Sequence, residues 1–199
     1  MIGEPAPRPE DRFTHVEVTS EQELHDRLLA HHAQQEAVWL VTWKKAVPDR
    51  YVTHEQVLDQ LVAFGWIDGI RRRIDDERSR QLVSPRRTRP WARSYQVRAE
   101  RLTAEGRMHP AGLAGVVEAK RSGAWDAMAD VDDLVVPEGL AAALRERSPA
   151  EAFFAAFPPS TRRNVLRWIA SAKTPATRAK RIALTAEDAR HDVRVRSNG

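Results

Sequence analysis

The sequence predicts an α+β protein, in which a small β-sheet with packed helices over residues 13–125 precedes a C-terminal helical module over residues 134–190. Two observations predict this order. The first part contains short strand-like stretches as well as helical patterns, whereas the last part contains only helical patterns separated by prolines. Between them, residues 126–136 are acidic and aperiodic, which favours a domain boundary there.

Two stretches near the start of the chain have strand character. Residues 13–18, FTHVEV, alternate apolar and polar side chains, and residues 38–43, VWLVTW, are β-branched and aromatic. Between them Ser20 stands three residues before Glu23, the spacing of a capping box. The spacing predicts a helix over about residues 21–33.

The next helix is predicted by a second capping box. Thr53 stands three residues before Gln56, and apolar side chains then recur at helical spacing up to Phe64. Gly65 follows directly, and glycine is the residue that most often ends a helix in the left-handed conformation. We therefore expect the helix to end at Gly65.

A β-hairpin is expected immediately after this helix. Residues 66–74 and 80–83 have strand character, and the acidic residues 75–77 lie between them as the turn. The isoleucines of the first strand do not share one face of a regular strand. A β-bulge at Gly69 would reconcile their positions.

Helical periodicity continues from there almost to the end of the chain. Residues 92–105 and 110–121 show it, with a glycine after each stretch. In the C-terminal module Ser148 and Glu151 have the spacing of a third capping box. Trp168 is expected on the inward face of the helix before the last.

Composition excludes several classes of protein. The chain has no cysteine, which excludes disulfides, thiolate metal sites and cysteine nucleophiles. No stretch reaches the roughly 20 apolar residues of a membrane span. Residues 1–12 have the prolines and charges of a disordered leader rather than a secretory signal, so a bacterial-type cytoplasm is the expected location.

Motifs for bound groups are absent from the sequence. It has no phosphate loop, no dinucleotide fingerprint and no nucleophile elbow, and its seven histidines form no metal-binding pattern. We therefore expect neither a cofactor nor a metal. The sequence does not specify the oligomeric state.

Positive charge is concentrated in one segment, residues 64–93. The segment contains nine arginines, four acidic residues and no lysine, a net charge of +5 in a chain whose total is +4. Arginine recognises carboxylates and phosphates through paired hydrogen bonds. The segment therefore predicts either an anion-binding site or a solvated basic surface.

The candidate site consists of five residues of this segment: Trp66, Asp68, Arg86, Arg87 and Trp91. Pro85 restricts the backbone in front of the two arginines, and a tryptophan can stack on a guanidinium or on a planar ligand. Together they predict a pocket for an anionic, partly apolar small molecule. The structural alternative places both tryptophans in the core and pairs the arginines with the acidic turn.

Two other functions are open at this point. Asp68 is the best acid–base candidate for an enzyme, although a carboxylate among arginines favours a structural ion pair. A nucleic-acid-binding module ranks below a small-ligand role because no known reading motif is present. It would also use a basic set on the C-terminal helices: Arg162, Arg163, Arg167, Lys173, Arg178, Lys180 and Arg181.

Several motifs, in this order, resemble one protein family. They are FGWIDG at 64–69, SPRR at 84–87, Trp91, RAERLTAEGRM at 98–108, PAGL at 110–113, RWIASAK at 167–173 and TRAKRI at 177–182. Their joint order is similar to that of the bacteriocin-protection, YdeI/OmpD-associated family. The resemblance implies a bacterial cytoplasmic protein concerned with tolerance of antimicrobial peptides or envelope stress, and it implies no particular reaction.

At three positions the chain departs from that family. The family usually carries a cysteine at the position of Ala63, a serine at that of Ala92 and an asparagine at that of Tyr95. No function that depends on the thiol is available here. If the family's serine and asparagine cap a helix or touch a ligand, the site of this chain is altered, and Ser94 is the candidate for a replacement cap.

Overall fold

The computed structural model describes residues 12–194 and has the predicted α+β fold. The chain forms two compact units, one that ends at Trp125 and one that begins at Asp126. The first unit holds a β-sheet with helices, and the second is helical. The predicted leader, residues 1–12, lies outside the described residues except for Arg12. No helix in the described part is long and apolar enough to cross a membrane.

The sheet of the first unit is built from β1 (His15–Glu17), β2 (Val38–Trp43), β3 (Trp66–Arg73) and β4 (Arg78–Pro85). The strands lie in the order β1-β2-β4-β3. The pair β1–β2 is parallel, whereas β4 is antiparallel to both of its neighbours. A parallel pair needs a crossover, which the helix between β1 and β2 supplies.

The hairpin of β3 and β4 contains the expected bulge. Its register shifts between Asp68 and Arg71, so the irregularity lies in the stretch that contains Gly69, in agreement with the prediction. A side chain at Gly69 would meet the carbonyl oxygen of Leu82 at 3.2 Å, which shows how closely the strands approach there. Asp68 lies opposite Val83 and therefore on the face that carries the core.

The helices of the first unit share one apolar core with the sheet. They are α1 (Glu21–His31), α2 (His54–Ala63), α3 (Arg93–Ala104) and α4 (Pro110–Ser122), with a short 3₁₀ helix at Pro48–Arg50. The core contains Trp66 and Trp91 of the predicted site and at least one side chain from each of these four α-helices. Burial of this surface is the main stabilising term of the unit.

The two N-terminal caps predicted for α1 and α2 are present. The Ser20 hydroxyl accepts the Glu23 N–H at 3.1 Å, although the Glu23 carboxylate accepts the N–H of Thr19 and the box predicted for Ser20 and Glu23 is therefore only half formed. At α2 the reciprocal box of Thr53 and Gln56 is complete. The expected cap by Ser94 is wrong, because α3 begins one residue earlier and Ser94 lies inside its first turn.

Helices α2 and α4 meet at a contact that only glycine permits. The N–H of His109 donates to the carbonyl oxygen of Ala63 at 3.0 Å, which draws the start of α4 onto the end of α2. Gly112, one turn into α4, then faces the Ala63 carbonyl with no room for a β-carbon. Gly65, with φ of +75°, ends α2 in the left-handed conformation as predicted.

The second unit packs its helices around a separate apolar core. They are α5 (Ala129–Asp132), α6 (Glu138–Arg145), α7 (Ala150–Ala156), α8 (Pro159–Ala170) and α9 (Pro175–Arg190). Fully buried side chains such as Leu140, Phe154, Val165 and Ile169 form its centre. The prolines at the starts of α8 and α9 occupy the first helical turn, where no N–H is needed.

Two sequence predictions in this unit need correction. The third capping box does not form, because Pro149 occupies the N-cap position of α7 and Ser148 lies one residue too early. Trp168 packs against the core but is only partly buried, and the guanidinium of Arg181 lies over its ring, 5.0 Å from the centroid. The helical spacing predicted that Trp168 faces inward, and in the structure part of its indole is covered by an arginine instead of by the core.

Candidate functional site

The two tryptophans of the predicted site are core residues. Trp66 is 3% exposed, and its indole N–H donates to the carbonyl oxygen of His32 at 3.2 Å. Trp91 is 2% exposed and packs on Trp125 with ring centroids 5.1 Å apart. Each indole therefore anchors a segment of the first unit, and neither offers an open face on which a ligand can stack.

Arg86 turns inward instead of toward solvent. Its guanidinium carbon lies 4.2 Å from the Trp91 ring centroid and 4.7 Å from that of Tyr95. One amino group donates to the carbonyl oxygen of Pro90 at 3.2 Å. The remaining buried nitrogens, Nε and Nη2, have no hydrogen-bond partner among the described residues.

This burial changes the acidity of Arg86. Loss of solvent lowers the pKa of the guanidinium to about 10, the charge of Asp68 opposes that effect, and the charge of Arg89 adds to it. The side chain still carries its charge at neutral pH. A buried cation of this kind depends on a nearby anion and on aromatic faces for its stability.

Asp68 is the anion near the Arg86 guanidinium, and Tyr95 lies in contact with both residues. The Tyr95 hydroxyl donates to Asp68 Oδ1, and the Gln81 amide donates to Oδ2 at 2.8 Å. The same tyrosine ring lies against the Arg86 guanidinium. The structure thus brings Asp68, Tyr95, Arg86 and Trp91 together as one inner cluster, in which Tyr95 was not among the predicted site residues.

Arg87 points in the opposite direction, into an open groove. One amino group donates to the carbonyl oxygen of Gln35 at 3.3 Å, and the rest of the fork faces the groove. The groove has a volume of about 780 Å³. Its walls come from the chain before β1, the turn before β2 and the segment after β4: Arg12, Phe13, Thr14, Gln35, Glu36, Ala37, Ser84, Pro85, Arg87, Thr88 and Arg89.

Three arginines and one glutamate set the charge of this groove. The guanidinium of Arg12 stacks on Phe13 at 5.0 Å. Within residues 12–194, neither Arg12, Arg87 nor Arg89 forms an ion pair, and the Glu36 carboxylate forms none either. Guanidinium donors are therefore available in the groove, together with the hydroxyl groups of Thr14, Ser84 and Thr88.

The acidic turn of the hairpin pairs with other arginines. Arg78 Nη2 lies 2.7 Å from Asp75 Oδ2, and Arg73 pairs with Asp76. The hydrogen bond from Arg78 is the largest influence on Asp75, and it lowers the pKa of that carboxyl below its usual value. Arg73 and Arg78 therefore pair with the acidic turn, as the structural alternative predicted. Arg86 and Arg87 do not pair with it.

Sequence reasoning missed a second cavity, of about 320 Å³, between α1, α2 and the start of α4. Its polar side chains include His25, Gln60, Arg107 and His109, and Phe64 lies among them. The rings of Phe64 and His109 stack at 4.8 Å. The signal in the sequence was weak, because His25 and His109 come from distant parts of the chain and match no metal or catalytic spacing.

Hydrogen bonds indicate the tautomers of two histidines that line this cavity. The His25 Nδ1–H donates to Gln60 Oε1 at 3.0 Å, because the amide nitrogen of Gln60 is already committed to Glu21. His109 Nδ1 accepts the Ala111 N–H at 3.2 Å and caps α4, so its proton lies on Nε2. No group of three or more metal-ligating side chains occurs in the described part.

A buried ion-pair network supports the same region. The Asp59 carboxylate accepts hydrogen bonds from Arg98 and, at 2.6 Å, from Arg101, and Arg107 lies 3.5 Å away. Burial alone would raise the pKa of Asp59, but the bonds from Arg101 and Arg98 outweigh it and the pKa is lowered. The network ties α2 to α3 through a carboxylate that stays ionised.

The stability of the first unit is expected to decrease as the pH falls below about 6.5, the ordinary pKa of histidine. Burial, with help from the charges of His32 and His25, lowers the pKa of His109 in the folded protein. The unfolded chain therefore takes up a proton first, and stability is lost between the ordinary pKa and the lowered one. Protonation also removes the acceptor that caps α4.

The variant His109→Asn tests this pH dependence, because asparagine caps helices and does not titrate. Urea unfolding at pH 7.5 and 5.5 should show a smaller loss of stability for the variant than for the wild type. An equal loss in the two proteins would contradict the role assigned to His109.

Comparison with known proteins gives one family match for each unit. The family described as a domain of unknown function, DUF8412, matches residues 16–115. The family described as bacteriocin-protection, YdeI or OmpD-associated matches residues 133–191, which confirms the resemblance over the second unit, where RWIASAK and TRAKRI lie, whereas the motifs at 64–113 lie inside the DUF8412 match. No curated protein and no solved structure matches the chain. The chain therefore belongs to the DUF8412 family, and its second unit is similar over residues 133–191 to the family described as bacteriocin-protection, YdeI or OmpD-associated.

Proposed function

We propose that the protein acts in the bacterial cytoplasm in tolerance of antimicrobial peptides or envelope stress, and that it does so by binding an anionic small molecule in the groove beside the end of β4. The match of the second unit to the bacteriocin-protection family supports the first half of this proposal. The three arginines of the groove, Arg12, Arg87 and Arg89, support the second.

The inner cluster holds in place the chain segment that carries Arg87 and Arg89, which line the groove. Arg86 is fixed by the rings of Trp91 and Tyr95, and its own backbone N–H donates to the Gly65 carbonyl at 2.9 Å. The segment that follows is thereby held at both ends, at Arg86 and at Trp91. Arg87 and Arg89 lie on this segment and project from a backbone that is already positioned, which lowers the entropic cost of binding.

The lining of the groove defines the class of ligand. Guanidinium groups bind carboxylate or phosphate with paired hydrogen bonds, and hydroxyl side chains supply further donors. Phe13 and Pro85 offer apolar surface for the rest of the molecule. The Glu36 carboxylate disfavours a second negative charge on the ligand and can accept a hydrogen bond from it, so a ligand with one anionic group and a hydroxyl or amino group fits best.

The enzymatic alternative has less support. Both oxygens of Asp68 already accept hydrogen bonds, from Tyr95 and Gln81, and the carboxylate compensates a buried arginine. Asp68 also does not line the groove. These contacts favour a structural role for Asp68 over proton transfer to a bound molecule.

The double variant Arg87→Ala/Arg89→Ala tests the groove. With inorganic phosphate as the probe, NMR titration of the wild type should shift the amide signals of Thr14, Ser84 and Thr88. The double variant should bind at least about tenfold more weakly, because a hydrogen bond to a charged group contributes about 1.5–3 kcal/mol. Both variant positions are exposed, so the melting temperature should change little.

Lys45→Ala/Arg121→Ala is the matched control, since it removes two exposed cations outside the groove. Equal weakening in the two double variants would contradict the groove as the binding site. In bacteria that lack the gene, the wild type should restore survival under antimicrobial peptide and the groove variant should not. Restoration by the groove variant would separate the tolerance role from anion binding.

A further inference from the structure

Charge is strongly segregated along the second unit. Residues 126–151 contain seven acidic and two basic residues, whereas residues 152–186 contain no acidic residue. That second stretch includes all of α8, the turn after it and most of α9. It carries seven basic residues: Arg162, Arg163, Arg167, Lys173, Arg178, Lys180 and Arg181. The charged side chains of the α8–α9 hairpin are thus all positive up to Ala186, before Glu187 and Asp188 in the last part of α9, and this excess concentrates anions at its surface.

Three of the seven basic residues serve the fold. Arg163 Nε lies 3.7 Å from Asp132 Oδ1, and Arg162 Nε is buried. Arg181 donates to the Trp168 carbonyl and, at 2.8 Å, to the Ser171 hydroxyl while its guanidinium covers the Trp168 ring. Replacement of these arginines would therefore disturb packing as well as charge.

The other four basic residues face solvent. Arg167, Lys173, Arg178 and Lys180 are exposed, and none of them forms an ion pair within residues 12–194. Arg167 belongs to α8, Lys173 to the turn, and the other two to the first turns of α9. The four cations therefore occupy the end of α8, the turn and the start of α9 in one helical hairpin, and residues 152–186 contain no acidic side chain to neutralise them.

We propose that this α8–α9 hairpin binds the phosphate backbone of nucleic acid without sequence preference. Exposed lysine and arginine side chains that approach a row of phosphates release condensed counterions, and this release drives association. The hairpin carries no element known to read base edges, so it supplies affinity without specificity. This proposal is independent of the groove in the first unit.

A membrane surface fits the hairpin less well than nucleic acid does. A helix that lies in a lipid interface needs an apolar face to insert among the acyl chains. In α9 the apolar side, with Ile182, Ala186 and Ala189, packs into the core of the unit. Among the described residues of α8 and α9, Leu184 is the only strongly exposed large apolar side chain.

Fluorescence anisotropy with a labelled 20-base-pair DNA duplex tests the proposal on the full chain. If about four phosphate contacts form, affinity should fall about 100-fold between 50 and 200 mM salt. The variant Arg167→Glu/Arg178→Glu should bind at least tenfold more weakly than the wild type at 50 mM salt. Circular dichroism should show that its fold is unchanged, because both side chains are exposed.

The control variant Lys45→Glu/Arg121→Glu changes the net charge by the same amount at exposed positions of the first unit. It should bind the duplex nearly as the wild type does. Equal loss in both variants would overturn the proposal, because it would show that only total charge matters. Absence of duplex binding, or tighter binding to phosphatidylglycerol vesicles than to the duplex, would overturn it as well.

Discussion

Gly112→Ala should destabilise the first unit by about 4 kcal/mol or more, an effect at the upper end of what single substitutions produce. A β-carbon at this position would lie 2.8 Å from the carbonyl carbon of Ala63 and 2.9 Å from the Met108 side chain, and closer still to the Ala63 carbonyl oxygen. Met108 can move, but the Ala63 carbonyl belongs to the backbone of α2. Helix α4 would have to separate from α2.

The separation would break more than one contact. The same Ala63 carbonyl accepts the His109 N–H at 3.0 Å, so a shift of α4 loses that hydrogen bond. It would also disturb the His109 cap on Ala111 and the cavity in front of it. Thermal unfolding followed by circular dichroism measures the loss, and a protein that fails to fold would agree with it.

Gly115→Ala is the matched control on the same helix. A β-carbon there meets nothing within 4 Å, and glycine inside a helix costs roughly 0.5–1 kcal/mol relative to alanine. The control should therefore be slightly more stable than the wild type. Similar stability changes in the two variants, or an unchanged melting temperature for Gly112→Ala, would disprove the proposed contact between α2 and α4.

The local elements of this fold were predictable because their signals are local. The caps at Ser20 and Thr53 each depend on side chains three residues apart, and both are present. The bulge at Gly69 follows from a mismatch between isoleucine spacing and strand period, and the register shift confirms it. Where the signal failed, as at Ser148, a neighbouring proline had taken the cap position.

The candidate site was harder to predict because its geometry is non-local. Pro85 restricts its own backbone but does not decide which way Arg86 and Arg87 point. That choice depends on Tyr95 and Trp91, whose rings bury Arg86, and on the turn before β2, which meets Arg87 at the Gln35 carbonyl. Consecutive residues on an irregular segment can face opposite sides, and the sequence carries no signal for their assignment.

The ion-pair network of Asp59 also joins residues that are far apart in the chain, and it could not be predicted from the sequence for the same reason. Asp59 and Arg98 are 39 residues apart, and nothing in the sequence around either residue indicates the pair. The motif RAERLTAEGRM, noted first as a family resemblance, supplies all three arginines of the network, Arg98, Arg101 and Arg107. Part of that motif is therefore explained by its attachment to α2, without reference to a ligand.

Asp68→Ala should cost the first unit about 3 kcal/mol of stability. Two hydrogen bonds to the carboxylate, from Tyr95 and Gln81, would be lost, and the buried Arg86 cation would lose the anion that compensates it. Because the second cost exists only while Arg86 is charged, Arg86→Met should reduce the effect of Asp68→Ala. The two sites should therefore be coupled by about 1 kcal/mol or more in a double-mutant cycle measured by urea unfolding.

Arg87→Met, one residue further along and outside the inner cluster, should show no coupling to Asp68. If the Asp68 and Arg86 effects simply add, the carboxylate does not compensate the guanidinium, and Arg86 is held by the rings of Trp91 and Tyr95 and by its hydrogen bond to the Pro90 carbonyl.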